Sequence, residues 1–92
     1  MKLPIIKHLT EFIAENDADF VLETIETLES LTEVSQLKDE ELDVIGELIS
    51  NMYGAIEVNK LVQEGMPQKE ALNTFMKRVL GSITSNSHKQ LI

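Results

Sequence analysis

The sequence has no cysteine and no tryptophan, and only two prolines and four glycines in 92 residues. Without cysteine there is no disulfide framework, no thiolate metal site and no thiol nucleophile. A chain this short and unstapled must hold its fold by packing alone, with modest stability. Aromatics are scarce as well: Phe12, Phe20, Tyr53 and Phe75 are the full set. The core must therefore be built from Leu, Ile, Val and Met. No run approaches the roughly 18 apolar residues of a membrane span, and Met1-Lys2-Leu3-Pro4 leads into amphipathic sequence rather than an apolar leader. The expectation is a cytoplasmic protein with no membrane contact.

Basic residues are also few. Lys and Arg number 8 against 16 Asp and Glu, a net charge of −8. Such a surface repels phosphate backbones, which excludes nucleic acid as a partner. The charge is polarised along the chain. Residues 1–10 carry +2, residues 11–57 carry −13 and residues 58–92 carry +3. This places the basic fourth helix, with Lys69, Lys77 and Arg78, near the acidic helices, within the chain or across a dimer. Such contacts should weaken with salt. The acidic middle points to a basic protein partner.

What the sequence does have is apolar residues, 42% of the chain, at helical spacing. Ile5, Ile6, Leu9, Phe12 and Ile13 make one stripe. Val21, Ile25 and Leu28 form a second row, with Phe20, Thr24, Thr27 and Leu31 beside it. Asn16 can cap this helix, with Asp17 and Asp19 at the positive end of its dipole. The third segment opens on the acidic turn Asp39-Glu40-Glu41, where Leu37 can staple onto Leu42. It persists to Glu64, about 39 Å at 1.5 Å per residue, and Gly65 stops it. Pro67 starts a fourth helix, in which Ala71, Leu72, Phe75, Met76, Val79 and Leu80 repeat, and Gly81 ends it. The spacing thus predicts an all-α fold of four helices, at about 4–14, 17–31, 38–64 and 67–81. They form a compact bundle around the long third helix, as a single domain over 1–81 with a flexible tail over 82–92. Helices one and two should form a hairpin, and helix four should fold back along helix three. There is no internal repeat, β period or Gly-rich phosphate loop.

On the third helix Gly46, Ser50 and Gly54 recur every four residues. A glycine inside a helix costs about 1 kcal/mol against Ala, so two of them imply close approach by another helix. That helix belongs either to the same chain or to a second copy. With Val58 and Leu61 added, the row is the candidate homodimer interface: Gly46, Ser50, Gly54, Val58 and Leu61.

Catalytic and metal motifs are absent. His8 lies a turn from Glu11 and near Glu15, but no Glu-x-x-His pair occurs, so no metal site is expected. His88 has no spacing partner. Glu23, Glu26, Glu29, Glu33 and Glu47 occupy outward positions of solvated helix faces. Asn16-Asp17-Ala18-Asp19 is too short for a calcium loop. Glu29-Ser30-Leu31 is similar to the Asp-Ser-Leu of acyl carrier proteins, also small acidic helical domains. It departs from them in its acid, in the position of Ser30 near a helix end, and in having no preceding glycine. No catalytic residue and no cofactor is assigned, and the chain is expected not to be an enzyme.

The block from Lys38 to Ala55, KDEELDVIGELISNMYGA, resembles the centre of a family of small acidic bacterial helical proteins with no assigned function. The resemblance runs from Met1 to Val79. It transfers no catalytic residues. It does imply neighbours of thioredoxin and peroxiredoxin type, and so a remote alternative as an accessory partner of thiol chemistry. The leading expectation is a non-enzymatic protein–protein interaction module that self-associates as a homodimer. The alternative is a small-ligand or metal-binding helical protein, with Met52, Tyr53 or His8 near its site.

Overall fold

A computed structural model describes residues 1–88, and the side chains of residues 1–79. It has four helices: α1 (Leu3–Glu15), α2 (Ala18–Leu31), α3 (Asp39–Gln63) and α4 (Gln68–His88). No strand occurs among the described residues.

Local chemistry sets the helix ends. Pro4 sits in the first turn of α1, where its missing N–H leaves no bond unmade. The α2 cap is Asp17, not Asn16, and its carboxylate accepts the Asp19 N–H at 2.9 Å. Asn16 closes α1 instead, donating from its side chain to the Phe12 carbonyl at 3.0 Å. At the start of α3, Glu41 reaches back to accept the Lys38 N–H at 2.9 Å. Gly65, at φ +108°, ends α3. Its N–H donates to the Val62 carbonyl and that of Met66 to Leu61, at 3.0 and 3.1 Å. This pairing closes a helix through a left-handed residue, a position suited to glycine.

α3 is the central element and packs against all three other helices. α1 lies across it, with α2 on one flank and α4 on the other. Among the described residues α2 and α4 share no contact. The core holds Ile6 and Ile13 of α1, Val21 and Ile25 of α2, Ala55 and Val58 of α3, and Ala71, Leu72 and Phe75 of α4.

The bundle is somewhat extended, with extents of 42 × 42 × 18 Å and a radius of gyration of 14.9 Å. A close-packed domain of this length has about 12 Å. Three expectations need correction. The row Phe20, Thr24, Thr27 and Leu31 of α2 is exposed, because only the face carrying Val21 and Ile25 meets α3. α4 runs past Gly81 to His88. A lone glycine weakens a helix without ending it, and no proline follows. The last residues of the expected tail, 89–92, lie outside the described residues. Finally, α4 packs on α3 and α1, but Lys69, Lys77 and Arg78 are exposed. They form no ion pair with the acidic helices among the described residues.

Candidate functional site

The structure divides the Gly46 row. A step of four residues turns a helix by 400°, so the row winds about 120° around α3 between Gly46 and Val58. Its two ends therefore face different neighbours. A Cβ on Gly54 would meet Phe75 ring carbons at 3.1 Å and the Ile6 Cδ1 at 3.3 Å. The close approach there is by α1 and α4 of the same chain. Val58 is fully buried in that core, and Leu61 is half-buried against it. Gly54 and Val58 thus turn inward and present nothing to a second copy. Gly46 and Ser50 do not: nothing lies within 4 Å of a Cβ at Gly46, and Ser50 is exposed.

Between them sits a residue that apolar periodicity passes over. Asn51 is fully buried. Its Oδ1 accepts the Lys2 backbone N–H at 2.8 Å, and its Nδ2 donates to the Glu47 carbonyl at 2.7 Å. One turn earlier, Glu47 pairs with the Met1 amine at 3.3 Å. Asn51 and Glu47 therefore pin the entry of α1 onto α3. Thr10 is the other buried polar residue, and it donates to the Ile6 carbonyl within its own helix at 2.7 Å. Neither shows in a hydropathy pattern, because each is buried through a partner rather than through apolarity.

A groove lies between α1 and α2. His8, Leu9 and Phe12 line one wall, Phe20, Val21 and Thr24 the other, and Met52 of α3 the floor. It holds about 270 Å³. Phe12 and Phe20 close its narrow end edge to face, with ring centroids 6.2 Å apart and planes at 77°. Such T-shaped pairs are favoured by the ring quadrupole. Both rings nonetheless stay open to solvent, Phe12 at 37% and Phe20 at 57% exposure. Two of only four aromatics are thus spent on a surface cleft.

Charge around the groove is mainly acidic. From His8 to Leu37 the chain has eight acids and no Lys or Arg, and all eight acids are exposed. Glu15 and Glu23 follow Phe12 and Phe20 by three residues, one turn along each helix.

The remaining candidates do not assemble into a chemical site. His8 lies at the groove wall, and no three His, Asp or Glu come together to hold an ion among the described residues. Ser30 is exposed near the end of α2 and donates to the Thr27 carbonyl. Tyr53, half exposed on α3, donates from its hydroxyl to Glu29 Oε2 at 3.1 Å. That bond and the carboxylate's charge hold its ionisation above the ordinary 10. No helix among the described residues is long and apolar enough to cross a membrane.

Neither a curated protein nor a solved structure matches the chain. A family model does, over residues 1–84. That span covers all but the last few residues of α4, and with it every residue of the groove and of the Asn51 anchor. The chain belongs to the DUF6952 family of unknown function.

Proposed function

We propose that this protein is a non-enzymatic helical interaction module of the cytoplasm. It self-associates as a homodimer through the first half of α3 and offers its acidic face to a basic partner. One observation carries the dimer. All four buried residues of α3, Asn51, Gly54, Ala55 and Val58, lie in its second half. The first half carries no fully buried residue. Leu42, Ile45, Leu48 and Ile49 are only half-buried, and Val44 is 59% exposed. Gly46 and Ser50 leave this stretch smooth, so a second helix can approach closely. Covering it in a dimer removes apolar area from water at about 25 cal/mol per Å².

Light scattering at tens of micromolar should report twice the chain mass. Gly46→Leu separates the interface from the fold, because the position is open within the chain. The variant should stay as helical as the parent by circular dichroism, since Gly is the poorer helix former by about 1 kcal/mol. It should also scatter as a monomer. A parent that is monomeric at that concentration overturns the dimer.

A further inference from the structure

We infer that the groove between α1 and α2 is a docking site for a basic amphipathic helix of a partner protein. This rests on reading the chain as an interaction module, and it is independent of the dimer. Apart from His8 and Thr24 the groove's walls and floor are apolar, and Phe12 and Phe20 remain exposed in it. Its volume of about 270 Å³ accepts roughly two bulky apolar side chains. An i, i+4 pair on a helix, about 5–6 Å apart, supplies these.

Charge selects among occupants. From His8 to Leu37, the stretch that supplies both walls, the chain holds eight exposed acids and no Lys or Arg; Lys7 lies just before it on α1. An anionic lipid surface or an acidic peptide would be repelled. A second copy seated on this groove by a two-fold axis would bring the same acids face to face, which complementary interfaces avoid. The basic helix of another copy is no substitute, because Ala71, Leu72 and Phe75 of α4 are already buried in its own core. The fitting partner carries an apolar row flanked by Lys or Arg. Its cations would meet Glu15 and Glu23 one turn from the two rings, while its apolar residues enter between them.

The test uses three fluorescently labelled helical peptides against the full chain, read by anisotropy. They are a Leu/Lys amphipath, a Ser/Lys peptide of equal charge, and a Leu/Glu amphipath. The Leu/Lys peptide should bind about tenfold or more tightly than either other peptide, a difference of about 1.4 kcal/mol. Phe20→Ser and Thr24→Arg should each weaken it by about tenfold while circular dichroism stays helical. Both positions are exposed, so at least one variant should fold. Gly46→Leu should leave it unchanged. Equal binding of the Ser/Lys peptide, or parent-like binding by both groove variants, overturns the inference. So does loss of the dimer on Phe20→Ser, which would make a second copy the occupant. Failure of the dimer alone leaves the peptide result intact, so the two readings fail separately.

Discussion

Asn51 and Gly54 show how narrow the tolerances are at single positions. Asn51 is buried; it accepts one hydrogen bond from the Lys2 N–H at the start of α1 and donates another to Glu47 within α3. Asn51→Leu keeps the approximate shape but leaves the Lys2 N–H and the site's polarity unanswered. It should cost about 1–3 kcal/mol, read as a lower urea midpoint at unchanged slope. Gly54→Val drives a branched side chain into the Phe75 ring and Ile6, which already stand 3.1 and 3.3 Å from the first added carbon. Overpacking of this kind costs about 1–3 kcal/mol. Adding Phe75→Leu to Gly54→Val should recover part of the loss. Strict additivity of the pair would mean that the ring is not the obstacle.

At the scale of elements, α2 is tied to α3 by few apolar contacts and one exposed hydrogen bond, Tyr53 to Glu29. Tyr53 is the only tyrosine, so ultraviolet titration reads it alone. The hydrogen bond favours the neutral phenol, and its folded-state ionisation lies above 10. Its contribution to stability is therefore fully present below pH 10 and lost as pH rises through the folded value. Glu29→Gln should lower the titration midpoint toward that of a free tyrosine. A midpoint unmoved by the substitution would show that the pair does not persist in solution.

For the whole molecule, the distribution of charge matters more than its total. The described residues contain one ion pair, between the Met1 amine and Glu47, set against a net charge of −8. Repulsion among the acids of residues 11–57 is therefore largely uncompensated. Screening shortens its reach from about 30 Å at 0.01 M salt to about 10 Å at 0.1 M. The melting temperature should rise over that range, opposite to what pairing of α4 with the acidic helices would give. Docking of a basic peptide should weaken over the same range. Parallel responses would contradict one of the two assignments.

Periodicity by itself determined the four helices and most of their ends. The short joint at Gly65–Pro67 determined the return of α4 on α3, and composition the polarised charge. Those are local or compositional properties: apolar spacing, a left-handed glycine at 65, a proline at 67. Family membership was legible in the block around Gly46 for the same reason, since it is a property of residue order. Only the tertiary structure decided which apolar rows are covered. On α2 Val21 and Ile25 are core, while Phe20 and Thr24 of the adjacent row line an open groove. On α3 the spacing of small residues is uniform, yet Gly54 is enclosed by Phe75 and Gly46 is open. Asn51 and Thr10 are buried against their polarity because a partner across the chain or one turn back satisfies each. A helix's neighbours are set by crossing geometry, which depends on all the chain at once. The groove and the first half of α3 are surfaces left over by that geometry, and no window of sequence contains them.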